Sequence, residues 1–178
     1  MSGKLILLLG GARSGKTEQA QRLAAEMGGA VTYVATAEAG DAEMRGRIAA
    51  HRAARPAGWQ TMERPQRLGD ALTEWDASVV VVDCLTLLVS NILGDAGEHA
   101  PAALVEARVE AELSELLAAW KDAQFHLIVV SNEVGLGLVP DNALGRVYRD
   151  ALGRANQRMA QAADEVYFMV AGLAVKIK

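Results

Sequence analysis

The sequence predicts an α/β fold: a mainly parallel sheet flanked by helices, finished by a C-terminal antiparallel hairpin. Three observations predict it. Short continuous apolar runs recur along the chain, as strands buried on both faces require. Helical patterns rich in Ala, Glu, Gln and Leu separate those runs, and such alternation favours parallel pairing. The last two runs, Glu165–Val170 and Leu173–Ile177, are joined only by Ala171-Gly172, which suits a tight hairpin.

The elements follow in order. Leu5–Leu9 is the first buried strand, and Ser14–Met27 is a helix closed by Gly28-Gly29. Val31–Ala35 is the second strand. Asp41–Ala54 has a helical pattern that stops at Arg55-Pro56, because proline disfavours helix in the residue before it. Gln66–Trp75 is a further helix, and Val79–Asp83 is the clearest buried strand. Leu85–Leu93 is a short apolar helix that could serve an interface, with core packing the expected use, and Gly94–Ala100 is the best candidate for a mobile connection. Pro101–Asp122 is a long helix with Leu104, Val105, Val109, Leu113, Leu116, Leu117 and Trp120 at three- and four-residue spacing. Phe125–Val130 is a strand and Asn142–Ala163 a helix.

Composition narrows the function. A chain of 178 residues without linker or repeat is read as one domain over 1–178. With 51% hydrophobic and 22% charged residues, wholesale disorder is excluded. A net charge of −4 argues against a nucleic-acid partner, which needs a basic field. The single cysteine, Cys84, excludes a disulfide framework and an all-cysteine metal site. The three histidines, His51, His99 and His126, are too scattered for zinc spacing. Leu5–Leu9 is far shorter than the ~20 residues that span a bilayer. It lacks a signal-peptide cleavage pattern, so the expectation is a reduced, cytoplasmic protein without stable membrane insertion.

Gly10-Gly11-Ala12-Arg13-Ser14-Gly15-Lys16-Thr17 fits G-x-x-x-x-G-K-[ST], between a buried strand and a helix. The glycines let backbone N–H groups turn inward around phosphate oxygens, and the helix start adds partial positive charge. Lys16 reaches the β- and γ-phosphates, and the Thr17 hydroxyl can ligate Mg²⁺. Asp83, at the carboxyl end of its strand, either shares that Mg²⁺ or caps the following helix. Cys84 reads as a small core residue. These elements predict a nucleoside triphosphate with Mg²⁺ but leave base and acceptor open.

The stretch from Asp41 to Trp59 is the second unusual segment. On a helix, Glu43, Arg47 and His51 share one side, and Arg52 and Arg55 follow at once. Neighbouring cations disfavour the imidazolium, and a neutral imidazole is a nucleophile beside arginines suited to phosphate. Spacing alone equally allows a solvated basic helix with an incidental histidine. Asn132–Gly137 follows a strand and carries two glycines, as expected of a tight loop near a site, with Glu133 a candidate for positioning metal or hydroxyl.

With these segments on the page, the chain resembles the bifunctional adenosylcobinamide kinase / adenosylcobinamide-phosphate guanylyltransferase family of cobalamin biosynthesis. The resemblance rests on Gly10–Thr17, Tyr33-Val-Ala-Thr-Ala37, and Arg47-Ile-Ala-Ala-His-Arg-Ala-Ala-Arg-Pro56 with Trp59, Thr61 and Glu63. It continues through Asp83-Cys-Leu-Thr86, Ser131–Pro140, Gly153–Gln157 and Val170–Lys178. It implies a RecA-like P-loop NTPase fold and a homotrimer. It implies phosphorylation of adenosylcobinamide by ATP or GTP, then transfer of GMP from GTP to the resulting phosphate, releasing pyrophosphate. In this family a histidine carries the guanylyl group, and the matching position is His51. By the same resemblance, GTP contacts fall on Ala35, Thr36 and Ala37, on Arg52, Ala53, Ala54 and Arg55, on Glu63 and near Asp83. Two other readings remain beside it: a simple small-molecule kinase without a covalent step, which leaves the arginine–histidine segment unexplained, and a nucleotide-binding regulatory module without turnover.

Overall fold

In the computed structural model, residues 3–38, 45–46, 49, 52–53, 55–72, 77–123 and 125–178 are described. A seven-stranded sheet organises them. The strands are β1 (Leu5–Gly10), β2 (Val31–Ala35), β3 (Gln60–Glu63), β4 (Val79–Asp83), β5 (His126–Val130), β6 (Glu165–Val170) and β7 (Leu173–Lys176). Their order is β3-β2-β4-β5-β1-β6-β7. All neighbours pair in parallel except β6 with β7. The helices are α1 (Lys16–Met27), α2 (Leu68–Leu72), α3 (Leu85–Ala96), α4 (Ala102–Ala123) and α5 (Ala143–Ala162).

The continuous apolar runs are buried on both faces, as a parallel sheet demands. On one face Ile6, Leu8, Tyr33, Val81, Ile128 and Val130 pack with Ala20 and Ala24 of α1. On the other, Leu7, Val82 and Val129 pack with Leu88 of α3, Leu113 of α4 and Leu152 of α5. The apolar helix α3 is core, as its sequence implied. The stripe of α4 comprises Val105, Val109, Leu113, Leu116 and Leu117, while Leu104 lies off it at 42% exposure. Asn142 caps α5, its side chain accepting from Gly145 N–H at 2.6 Å. The start of α2 is held by a carboxylate from another helix: Glu112 of α4 accepts from Arg67 and Leu68 N–H at 3.0 and 2.7 Å. His126 has a structural partner, its Nδ1 accepting from the Lys4 N–H at 3.1 Å.

The structure departs from the sequence reading in three places. β3 was not expected, because Gln60-Thr-Met-Glu lacks an apolar run; it is an edge strand recruited by pairing with β2. Helix α3 continues to Ala96, so the first three of the seven residues of the expected mobile connection at Gly94–Ala100 are helical. The described part of Gln66–Trp75 is helical only over Leu68–Leu72. Of the expected helix Asp41–Ala54, residues 45–46, 49 and 52–53 are helical and the rest lies outside the described residues. No helix among the described residues is long and apolar enough to cross a membrane.

The hairpin end is held by charge. Glu165 is hydrogen-bonded by the Lys4 ammonium, accepts from the Tyr167 hydroxyl at 2.6 Å and lies 3.4 Å from Lys176 Nζ. Lys4 first, then Tyr167, hold its carboxyl down at about 2 from the usual 4.5. A depressed folded-state pKa contributes stability that is present above pH 4.5 and lost as pH falls toward 2. Glu165→Gln should therefore be less stable than wild type at neutral pH, and the gap should close across that acid window when urea midpoints are compared.

Candidate nucleotide site

The carboxyl ends of the parallel strands form one edge, and ladder register sets which residues share it. Glu63 pairs with Ala35, Ala35 with Asp83, and Asp83 with Val130. Neighbouring strands are ~4.8 Å apart, so Glu63 sits roughly 10 Å from Asp83 along this row. A cleft of about 690 Å³ opens over the edge, lined among the described residues by the loop Ala12–Thr17, Tyr33, Ala35, Arg55, Asp83 and Asn132. This is the edge at which open α/β sheets bind ligands.

The loop joining β1 to α1 is shaped by glycine. Gly10 has φ +152°, and a Cβ there would lie 2.6 Å from the Met169 carbonyl oxygen and 2.7 Å from Ser14 Oγ. Gly15 has φ +91°, and its Cβ would meet Gly172 Cα at 3.1 Å. The β6–β7 turn thus lies directly against the loop, and Gly172 N–H donates to the Ser14 carbonyl at 3.0 Å. α1 begins at Lys16, two residues after the predicted Ser14, because Gly15 is its left-handed N-cap. The Lys16 ammonium donates to the Gly11 carbonyl at 2.6 Å and lies 3.4 Å from Ser14 Oγ. Burial lowers the Lys16 pKa, opposed by negative potential from Cys84, Asp83 and Glu18.

Asp83 is the meeting point of the site. Thr17 Oγ1 donates to Asp83 Oδ2 at 2.9 Å, and the Tyr33 hydroxyl donates to the same oxygen. Burial first, then the Asp83 charge, raises the Tyr33 pKa, so the phenol remains a donor. Both bonds fall on Oδ2, leaving Oδ1 without a hydrogen bond among the described residues. A hydroxyl and a carboxylate this close are hard oxygen donors, a set suited to Mg²⁺ with its remaining positions filled by water and phosphate. The Cys84 thiol is pushed up to about 11 by burial and by Asp83.

Tyr33 also carries Arg55, whose guanidinium carbon lies 3.6 Å from the ring centroid. Arg55 Nη1 donates to Thr61 Oγ1 at 3.1 Å, while Nε is buried without a hydrogen-bond partner among the described residues. Arg52 is on the surface, its Nη1 3.8 Å from Glu63 Oε1, an exposed pair of small energetic value. Ala53 is likewise exposed. His51 and Ala54 lie outside the described residues.

Of the expected nucleotide contacts, Ala12–Thr17, Ala35, Ala37, Arg55 and Asp83 line the cleft. Gly10 and Gly11 shape the loop from behind. Thr36 is fully buried, and its hydroxyl both accepts from Cys84 N–H at 2.8 Å and donates to the Cys84 carbonyl at 2.7 Å. It therefore fastens β2 to β4 below the cleft. Glu133 turns to its own loop, accepting from Gly135 N–H at 2.6 Å. Sequence reasoning gave no role to Tyr33, Thr86 or Asn132, all of which line the cleft. For Tyr33 a signal existed: a phenol two residues before a strand's end spans about the same 6–7 Å as two strand residues.

Comparison with known proteins places this geometry. Residues 6–177 match the family described as cobinamide kinase / cobinamide phosphate guanyltransferase. The chain belongs to that family. Family members include the bifunctional adenosylcobalamin biosynthesis protein CobU of Escherichia coli strain K12, 41% identical over 98% of this chain and 99% of its own length. They also include CobP of Pseudomonas aeruginosa, 46% identical over 97% and 96%. The fold of the chain is RecA-like. The RadB recombinase covers 94% of this chain and 74% of its own at TM-score 0.54 and 18% identity. A KaiC-like protein from Pyrococcus horikoshii covers 94% and 72% at TM-score 0.52 and 15% identity.

The floor of the cleft rests on a buried polar clamp. Asn156 of α5 accepts from Ser131 Oγ at 2.6 Å and donates to the Asn132 carbonyl at 3.0 Å. Asn156→Ala should cost about 1–3 kcal/mol, since it leaves two buried groups unpaired. Urea denaturation measures this.

Proposed function

We propose that this chain phosphorylates the aminopropanol hydroxyl of adenosylcobinamide with ATP or GTP, then transfers GMP from GTP to the product phosphate. The observation that carries the reading is the convergence of Lys16, Thr17 and Asp83 in one cleft of a chain from this family. Thr17 and Asp83 would hold Mg²⁺, which neutralises phosphate charge when bound.

In the kinase step the substrate hydroxyl attacks the γ-phosphorus and the nucleoside diphosphate leaves. The Gly10–Thr17 backbone orients the phosphates, and Lys16 offsets the charge on the transferring group. In the second step the His51 imidazole attacks the α-phosphorus of GTP. The bond to pyrophosphate breaks, and a guanylyl-histidine forms. An oxygen of the substrate phosphate then attacks, the phosphorus–nitrogen bond breaks, and adenosylcobinamide-GDP leaves with His51 restored. Arg55, stacked over Tyr33 in the cleft lining, would offer its guanidinium to phosphate oxygens. Glu63, two strands from Asp83 on the same edge, would accept from the guanine N–H groups.

Homotrimeric assembly in a reduced cytoplasm completes the proposal. It rests on family resemblance, and exposed Leu136, Leu138 and Val139 supply apolar surface that an assembly can cover.

Two measurements test the chemistry. Incubated with Mg²⁺ and GTP labelled at the α-phosphate, the denatured protein should retain acid-labile, base-stable label, and His51→Asn should lose it while remaining folded. Absence of label under conditions that support GTP binding defeats the covalent step and leaves a simple kinase. Lys16→Ala should abolish phosphorylation of adenosylcobinamide, and turnover at the wild-type rate would remove Lys16 from its assigned role.

A further inference from the structure

Pairing between β2 and β3 ends just beyond the residues assigned to the guanine end. Arg64 N–H donates to the Ala35 carbonyl at 2.8 Å, and Pro65, which follows, has no N–H to extend a ladder. A side chain from α3 takes over. The Asn91 amide nitrogen donates to the Thr36 carbonyl at 2.8 Å and to the Pro65 carbonyl at 3.1 Å. Two carbonyls facing one end of a carboxamide admit only its NH₂ group, since only that end donates. Asn91 thereby ties the residue after Ala35 to the chain just beyond Glu63.

The tie belongs to a longer strap. One helical turn on from Asn91, Asp95 accepts from Gln66 Nε2 at 2.6 Å. Glu112 of α4 accepts from the N–H groups of Arg67 and Leu68 at 3.0 and 2.7 Å. Every residue from Pro65 to Leu68 is therefore held by a side chain from α3 or α4. Thr36 is fixed as thoroughly: its N–H donates to the Asp83 carbonyl at 3.1 Å and its hydroxyl bonds Cys84. Glu63 itself is exposed and lies 3.8 Å from Arg52 Nη1, so backbone position rather than packing decides where its carboxylate stands. Asn91 is not among the described residues that line the cleft. Its bonds reach the site through the two segments that it joins.

We propose that Asn91 is a positioning residue: it holds Glu63 and the Ala35–Ala37 segment as one edge and so sets the preference for guanine over adenine nucleotides. The inference rests on the guanine contact of Glu63 proposed above and adds the device that aims it. Guanine offers a pair of neighbouring N–H donors on one edge, and a carboxylate accepts both only when aimed along them. Adenine presents a ring acceptor at the matching place, which a carboxylate repels. A small shift of Glu63 against Ala35 therefore weakens guanine binding and leaves adenine binding nearly unchanged.

The test is calorimetric binding of the α,β-methylene analogues of GTP and ATP, with Mg²⁺; their bridging carbon prevents guanylyl transfer to His51. The proteins are wild type, Asn91→Ala, Asn91→Asp, Glu63→Ala and the double variant Asn91→Ala/Glu63→Ala. Asn91→Ala should lower the ratio of GTP-analogue to ATP-analogue affinity roughly fivefold, with the ATP analogue within about twofold of wild type. Asn91→Asp keeps the shape but sets a carboxylate against two carbonyls, so it should lower the ratio at least as far. Should either Asn91 variant fold poorly, the other carries the comparison. Glu63→Ala should lower the ratio roughly tenfold or more, since it removes bonds to a charged group. Because Asn91 acts through Glu63, adding Asn91→Ala to Glu63→Ala should change the ratio by less than about twofold. Equal weakening of both analogues by Asn91→Ala, an unchanged ratio, or effects that multiply in the double variant overturns this inference and leaves the Glu63 contact standing. A Glu63→Ala ratio equal to that of wild type overturns the guanine contact and this inference with it.

Discussion

The contact on which the site depends is the hydrogen bond between Thr17 and Asp83. These residues lie on non-adjacent elements, because β5 separates their strands. They meet only because α1 crosses the sheet face and returns its first turn over β4. Tyr33, from β2, locks the same carboxylate oxygen from the other side. One acidic group therefore ties together the strands that must stay in register for a nucleotide to be held. Moving one strand by a single residue would exchange its inward and outward side chains and dismantle this meeting point.

Burial and polarity divide the labour on that edge. Thr36 and Ser131 are fully buried, and each joins a strand end to a neighbouring segment, Thr36 to Cys84 and Ser131 to Asn156. The Thr36 hydroxyl holds backbone and the Ser131 hydroxyl holds the Asn156 side chain. Among the described residues Arg55 Nε is buried without a partner, neither Asp83 Oδ1 nor the Asn132 carboxamide makes a hydrogen bond, and all three residues line one cleft. A cleft with a cation, an anion and an amide left open suits a ligand that carries charge, a metal and hydrogen-bond acceptors together.

Much of this was legible in the sequence. Glycines at 10 and 15 with Lys16 and Thr17 announced the loop, and four consecutive valines before Asp83 announced a strand buried on both faces. What stayed hidden depended on partners remote in sequence. Gln60–Glu63 has no periodicity of its own and becomes a strand only because β2 offers an open edge. Glu133 drew attention as a charged loop residue, yet counting in twos from Val130 puts Asn132, not Glu133, on the nucleotide face. Thr36 is expected as a GTP contact from the resemblance alone, and nothing local reveals that its hydroxyl bonds Cys84 after the next strand.

The hairpin of β6 and β7 gives the phosphate loop a back wall. Gly172 stands 3.1 Å from where a side chain on Gly15 would begin, so the loop is moulded between α1 and a turn at the far side of the sheet. A cradle braced in this way resists widening on the side of the Gly172 turn. Bracing the loop backbone in advance lowers the conformational entropy that must be surrendered on binding. The antiparallel extension, peripheral by topology, is thereby mechanical support for the most central function of the sheet.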